Sequence, residues 1–349
     1  MRLRIEVVVW RGAIAESRHC FQAAVCTPEG ALVAGTEAAG LTTTFRSAAK
    51  PFQLLPLVER GHAARMGFDD ETLALMAASH TGSRYHVERV AAVLARLSLT
   101  VADLACGYHE PLDPDSAAQL RLRPQQRTPL YNNCSGKHAG MLALALAEGW
   151  PTRGYERPDH PVQQLMRRTV AEVSGLAPEE VVVGIDGCSA SVFGLPLTGM
   201  ARAYARLAAA RIDPGVGAGA GGERERALAR IRDAMRAYPG ATGGAGRLST
   251  ELMERTRGRL VAKGGAEGLE CVGLPEQGLG LALKCEDGQS RGIAPALVGV
   301  LERIEGVPAG DPEGLAELRM TRLRNHAGLE VGWLAAEVQV AGDGAGSAA

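Results

Sequence analysis

Lysine is almost missing from this chain. Of 38 basic residues among 349, only Lys50, Lys137, Lys263 and Lys284 are lysines, and all the others are arginine. Arginine keeps its proton inside a protein, whereas a buried lysine can lose it and then serve as base, nucleophile or metal ligand. The four lysines are therefore the first places to look for chemistry, against the bland alternative that a few persist without a role. Other absences narrow the class. The formal net charge is -1, so no excess of positive charge exists to neutralise a phosphate backbone or an anionic membrane surface. Neither nucleic acid nor membrane is an expected partner. No apolar run approaches the roughly 18 residues of a membrane span, and Val7 to Trp10 is too short for a secretory h-region. Seven cysteines (Cys20, Cys26, Cys106, Cys134, Cys188, Cys271 and Cys285) are an odd number without a Cys-x-x-Cys, which argues against a disulfide framework and fits a reducing compartment. The expectation is a cytoplasmic protein whose thiols are mostly small buried apolar groups. At 46% hydrophobic and 22% charged, the composition is that of an ordinary soluble fold.

Strands are predicted at Leu3 to Trp10, Cys20 to Cys26 and Ala31 to Glu37, the last two joined by the turn Thr27-Pro28-Glu29-Gly30. From Phe45 to Trp150 apolar residues recur at helical spacing, in Phe52 to Val58, Leu73 to Ala78, Val87 to Leu97 and Met141 to Ala147. Ser83 is a candidate N-cap for the third. A helix over Val162 to Val173 ends at Gly175, and Val181 to Ile185 reads as a buried strand delivering Asp186, Gly187 and Cys188 to its end. Helices follow at Met200 to Ala209, Glu225 to Arg236 and Thr250 to Arg255, with a glycine-rich stretch, Asp213 to Gly222, read as a mobile surface loop between the first two. The pattern then returns to strands at Leu260 to Lys263, Leu269 to Leu274 and Leu279 to Cys285, a helix at Ala294 to Ile304 and a final strand within Leu329 to Val340. Strands at both ends around a helical middle predict an α/β (α+β) fold, with a central, mostly antiparallel sheet built from both termini and a helical region inserted. The expected organisation is one catalytic unit over 1–340. Its sheet part covers about 1–45 and 180–340, its helical part 46–179, and 341–349 forms a disordered tail.

Five segments concentrate reactive side chains. In Arg46-Ser47-Ala48-Ala49-Lys50-Pro51-Phe52, a Ser47 at the start of a helix would have Lys50 on the same face at i+3. A hydroxyl is a poor nucleophile until a base takes its proton, which a desolvated, neutral lysine can do. The spacing alone is also met by a capping serine with a surface lysine; chance supplies about 0.15 such matches here. Ser79-His80-Thr81 closes an apolar helix abruptly, offering a second hydroxyl or only a helix terminus. Lys263 stands at a strand end beside Gly264 and Gly265, as an active-site or a loop lysine. Asn132-Asn133-Cys134-Ser135-Gly136-Lys137-His138 packs amide, thiol, amine and imidazole into one stretch, and Gly184-Ile185-Asp186-Gly187-Cys188-Ser189 is a second concentration. Two thiolates, Cys134 and Cys188, could hold a borderline cation such as zinc, or be merely buried.

Taken in order, Arg46 to Gln53, Ala78 to Gly82, Asn132 to Gly140 and Gly184 to Ser189 resemble the signature segments of the Rhizobium-type L-asparaginases, the asparaginase II family, and the resemblance extends over about residues 5 to 340. It implies a fold similar to the serine β-lactamases and serine-dependent glutaminases, with two serine-lysine dyads: Ser47 with Lys50, and Ser79 with Lys263. It also implies one zinc held by Cys134, Lys137 and Cys188, substrate contacts from Arg46, Asn133, His138 and Asp186, and a homodimer. Three of the four lysines fall on these positions; Lys284 has no assigned role.

The activity so implied is hydrolysis of L-asparagine to L-aspartate and ammonia. Lys50 would deprotonate Ser47, Ser47 would attack the side-chain amide, and water would release the β-aspartyl ester. Ser79 and Lys263 would shuttle protons, although the two dyads could exchange roles. Arg46 would meet the substrate α-carboxylate, and Asp186 its ammonium or a zinc-bound water. A glutaminase or other serine-lysine amidohydrolase is the nearest rival, since one methylene separates substrates by only about 1 to 3 kcal/mol. A β-lactamase or peptidoglycan peptidase would be expected outside the cytoplasm. A non-catalytic zinc-dependent amino-acid-binding protein is the rival from another class.

Overall fold

The structure, a computed structural model, describes residues 1–211, 220–305 and 312–341. Its strands are β1 (Leu3–Arg11), β2 (Ile14–Cys26), β3 (Leu32–Gly35), β4 (Thr42–Thr44), β5 (Val182–Ile185), β6 (Ser191–Pro196), β7 (Val261–Gly264), β8 (Leu269–Leu274), β9 (Leu279–Cys285), β10 (Met320–Arg324) and β11 (Glu330–Val340). The chain divides into two compact units, one of Met1–Thr43, Pro196–Ala209 and Arg255–Ala349, the other of Thr44–Leu195 and Ala210–Glu254. The glycine-rich stretch from Asp213 lies outside the described residues as far as 219, with 220–222 opening the helix Ala220–Ala237. The tail beyond 341 lies outside them too. Among the described residues no helix is long and apolar enough to cross a membrane.

The first unit is a large antiparallel sheet in the order β10-β11-β1-β2-β9-β8-β7, with β3 pairing β2. The order joins the first strands of the chain to the last, because β1 pairs β11 over its whole length, from Leu3 opposite Val340 to Trp10 opposite Trp333. The two tryptophans stack at 6.4 Å. Period-2 alternation puts Val7, Phe21 and Val338 on one face, where the helix Ile293–Arg303 covers them. The helix Leu197–Ala209 lies on the other face, across β9 and β8. It can approach because Gly280 has no side chain: a Cβ there would stand 2.1 Å from Ala201 O. The edge strand β10 was not foreseen. Met-Thr-Arg-Leu-Arg is too short and too charged to look like a strand, yet such charge is how an exposed edge resists pairing with another chain.

The second unit is helical. The helices Lys50–Glu59 and Ser135–Ala147 bury almost every residue and so form its centre. Amphipathic helices pack around them, started by side chains that accept orphan amides: Asp69 from Thr72 N, Asp113 from Ser116 N, His160 from Val162 N. Ser83 does occupy the N-cap of Arg84–Arg96, but its hydroxyl bonds His86 Nδ1 at 2.7 Å instead of a backbone amide. The run ending at Ile185 is not a buried strand either. In β5, Val182 is 61% and Ile185 71% exposed, because it is an edge strand with β6 as its neighbour, and the buried member of that pair is β6. A short apolar run does not by itself say which of two paired strands faces the core.

Candidate active site

Phe45 N donates to Phe193 O, pinning the chain to β6 just before the first reactive segment. Arg46 then takes φ +45°, a left-handed value that costs a side-chain-bearing residue energy and is met mostly where function requires it. Arg46–Ala49 makes a tight 3-10 turn, and the α-helix starts only at Lys50, with Pro51 in the first turn, where its missing N–H does no harm. Ser47 therefore sits on the turn before the α-helix and not within its first α-turn.

Lys50 is buried, and its Nζ lies 2.8 Å from Ser79 Oγ and 2.6 Å from Ala78 O. Cys134 supplies a further acceptor. Burial pulls the amine down from its usual range, against the opposing pull of the Cys134 and Cys188 sulfurs. A neutral amine suits these neighbours. Its two N–H bonds can serve Ala78 O and Cys134, and its lone pair can accept from the Ser79 hydroxyl. Ser79 is held by its own backbone, which donates to Thr242 O at 3.1 Å, while His80 N donates to Asn133 O and Thr81 N to Gly243 O. Ser47 is half-buried, and among the described residues its hydroxyl makes no hydrogen bond to Lys50. Lys50 is thus in hydrogen-bond contact with Ser79. Lys263 belongs to the sheet unit, at the end of β7, buried, with Nζ donating to Gly264 O at 2.8 Å.

Cys134, Lys137 and Cys188 come together. Lys137 Nζ is 3.1 Å from Cys188 Sγ, and all three are buried. The Cys188 hydrogen bond holds the Cys134 thiol well below its ordinary range, overcoming burial with help from Lys50 and Lys137. Lys137 is buried as well, but the two sulfurs hold its pKa up. Helix Ser135–Ala147 presents this cluster at its N-terminus, with Cys134 as N-cap. Gly136 is the residue that lets the helix approach, since a Cβ there would lie 2.3 Å from Leu75 O at the end of Asp70–Met76, the helix that leads to Ser79. Two buried sulfurs are donors that zinc favours, and Lys137 would add a third once its amine gives up its proton, with a coordination position left over. The residues fit the zinc that the resemblance implies.

Arg46 Nε and Asp186 Oδ1 are 3.1 Å apart, an ion pair whose geometry leaves the buried Nε without a hydrogen bond. Asp186 opens the β5–β6 turn, which Ser189 completes at φ +71° and which carries Cys188. The Asn133 side-chain amide is 3.0 Å from Cys134 Sγ. His138 is fully buried. Its Nδ1 lies 2.6 Å from Tyr155 OH, a hydroxyl that already accepts from Ala105 N, so Tyr155 donates to Nδ1 and the proton of His138 sits on Nε2, which has no partner.

Arg46, Ser47, Lys50, Ser79, Asn133, Cys134, Lys137, His138, Asp186 and Cys188 all belong to the helical unit. Sequence reasoning missed the loop Thr242-Gly243 that braces Ser79 and Thr81; the density of glycine in Pro239 to Gly246 was the available signal. It also missed the cluster of His19, Cys285 and Asp287 in the sheet unit. There Arg291 Nε donates to His19 Nε2, leaving Nδ1 as the donor to Asp287, and Cys285 donates to the same carboxylate. Every atom is used, which makes the cluster a tie between β2 and β9.

Among solved structures the chain is similar to Mglu in its native form in the presence of 4.3 M NaCl, with 17% identity over 90% of this chain and 68% of that one and a TM-score of 0.45. It is also similar to Mglu in its native form, with 17% identity, 87% and 69% coverage and a TM-score of 0.44. No curated protein matches the sequence. A family of amidohydrolases matches residues 7–336, nearly the whole chain, and the protein is an enzyme of that class. The family is L-asparaginase II, and the chain belongs to it.

Proposed function

We propose that this enzyme hydrolyses the side-chain amide of L-asparagine through a serine acyl-enzyme, with Lys50 as the base. The observation that carries the reading is the buried Lys50 Nζ at 2.8 Å from Ser79 Oγ, next to groups that favour a neutral amine. The amine takes the Ser79 proton as the oxygen attacks the amide carbon. It then passes the proton to the departing nitrogen, ammonia leaves, and water attacks the β-aspartyl ester with Lys50 again as base. Relative to the expectation from sequence, the two serines exchange roles, leaving Ser47 as the second hydroxyl. Lys263 keeps the supporting role that the resemblance implies.

An amino-acid substrate is a zwitterion, and Arg46 with Asp186 is a matching pair of opposite charges. On binding, the α-carboxylate takes the unused Nε of Arg46, and the ammonium takes Asp186. Asn133 and His138 complete the proposed contacts. Cys134, Lys137 and Cys188 would hold zinc, which when bound supplies a fixed positive charge beside the substrate. We place the fold with the serine β-lactamases and glutaminases, a reading supported by the antiparallel sheet drawn from both ends of the chain around a helical region. Seven free cysteines support a cytoplasmic site of action. The homodimer rests on the family resemblance.

A coupled ammonia assay with asparagine and glutamine tests substrate and residue together. Ser79→Ala is expected to abolish turnover and acyl-enzyme in quenched-flow mass spectra, with Ser47→Ala retaining acylation. An acyl group found on Ser47 in the Ser79→Ala protein would return the nucleophile to Ser47. Faster release of ammonia from glutamine would change the substrate.

A further inference from the structure

His80 has no part in the reaction as drawn, yet it is completely buried and both of its ring nitrogens are bound. The direction of each bond follows from which atoms carry hydrogen. Gly82 N can only donate, so Nδ1 of His80 accepts from it at 3.1 Å and the ring proton sits on Nε2. That proton goes to Ser135 Oγ at 2.9 Å, and the Ser135 hydroxyl gives its own to Leu130 O, also at 2.9 Å. A main-chain bond runs beside this path, from His80 N to Asn133 O at 3.2 Å. The segment that carries Ser79 is thereby tied to the first turn of Ser135–Ala147 and to the chain just before it. His80 also stacks on His86, with ring centroids 4.8 Å apart. His86 Nε2 donates to Gly240 O at 3.0 Å, so its Nδ1 accepts from the Ser83 hydroxyl at 2.7 Å.

We propose that His80 is a positioning residue, whose bond to Ser135 holds the Ser79 hydroxyl at the Lys50 amine. The inference rests on the reading of Ser79 as the attacking group. Lys50 grips the chain on one side of Ser79, at Ala78 O, and also meets the hydroxyl itself. His80 grips it on the other side, through its ring and through its own amide. Ser79 is the residue between, with its amide on Thr242 O, so the direction of its side chain depends on both neighbours being fixed. A serine oxygen has to stand within about 2.6 to 3.2 Å of its base. A misplacement of about 1 Å costs about a hundredfold in rate. His80 is not itself the base, because both ring nitrogens are taken by Gly82 and Ser135.

The test compares the full-length parent with His80→Asn, His80→Gln and Ser135→Ala at matched metal content. The amide of asparagine reaches only as far as Nδ1 and keeps an acceptor for Gly82 N, whereas that of glutamine reaches to Nε2 and keeps a donor for Ser135. For each protein kcat and KM for asparagine are measured, together with the rate at which a fluorophosphonate labels Ser79, located by peptide mass spectrometry and independent of any amide substrate. His80→Asn and Ser135→Ala are expected to lose about tenfold or more in kcat and in labelling rate, with KM within about threefold, and His80→Gln to recover most of both. The double variant of His80→Asn with Ser135→Ala should be no slower than the slower single one, because the two changes break the same bond. Circular dichroism reads the fold of each, and Ser135→Ala, which leaves the buried ring in place, decides the matter if His80→Asn does not fold. A parent-like kcat and labelling rate in Ser135→Ala, a rise in KM without a fall in kcat, or a His80→Gln protein as slow as His80→Asn overturns the proposal. A parent protein unlabelled at Ser79 overturns the reading of Ser79 as nucleophile and the inference with it. Labelling present in the parent and unchanged in the variants overturns the inference alone.

Discussion

Lowering the pH should unfold this enzyme from its buried histidines. His80 and His138 are each fully buried, and burial holds both pKa values well below the usual 6.5. In the folded chain they stay neutral as the pH falls, while in the unfolded chain they take up protons near 6.5. Below that pH the unfolded state binds more protons, so stability is complete above 6.5 and declines as the pH drops toward the folded values. One unit below the unfolded pKa, each such histidine removes about 1.4 kcal/mol, and the two together about 2.8 kcal/mol. That is a large part of a typical roughly 5 to 15 kcal/mol. His86, also lowered by burial, adds to the loss. Urea unfolding followed by far-ultraviolet circular dichroism, with chelator constant, at about pH 7.5 and about pH 5.5 measures the difference. His138→Gln keeps an acceptor for Tyr155 OH and removes one titrating group, so the loss between the two pH values should shrink by about 1.4 kcal/mol. Equal stability at the two pH values, or a His138→Gln protein with an undiminished loss, would refute the reasoning.

Four further outcomes follow from the site. Lys50→Arg should retain the fold yet lose at least about a hundredfold in kcat, because arginine does not release a proton; circular dichroism and the ammonia assay read the two separately. For the parent enzyme, log kcat/KM should rise with pH through the depressed pKa of Lys50 and then level, since only the neutral amine is a base; a profile that falls over this range would count against Lys50. Arg46→Lys should raise KM about tenfold or more through loss of the forked carboxylate contact, with a smaller change in kcat. Gly136→Ala forces a Cβ toward Leu75 O and should cost about 1 to 3 kcal/mol by denaturant unfolding, together with a loss of turnover as the Cys134 helix and the Ser79 segment are pushed apart.

Much of the molecule could be read from residues alone. Alternating Leu3, Ile5, Val7 and Val9 make a half-buried strand wherever they occur, and the apolar spacing in Lys50–Glu59 or Pro161–Ser174 makes a helix. The scarcity of lysine against arginine singled out Lys50 and Lys137 before any fold was known, because the protonation chemistry of the two side chains differs everywhere. The signature segments carried the family for the same reason: they are local strings of chemistry.

Partnership was decided elsewhere. Ser47 is near Lys50 in the chain, but a tight turn with left-handed Arg46 takes its hydroxyl out of hydrogen bonding with the amine, and the helix Asp70–Met76 and the loop at Thr242 bring Ser79 there instead. The meeting of Cys134 with Cys188, the pairing of Arg46 with Asp186 and the exposure of β5 likewise depend on which segments pack together. A hydrogen bond is made or lost within an ångström, and that distance is set by the packing of segments remote in sequence. Local residue preference identifies the groups; only tertiary packing determines which of them touch.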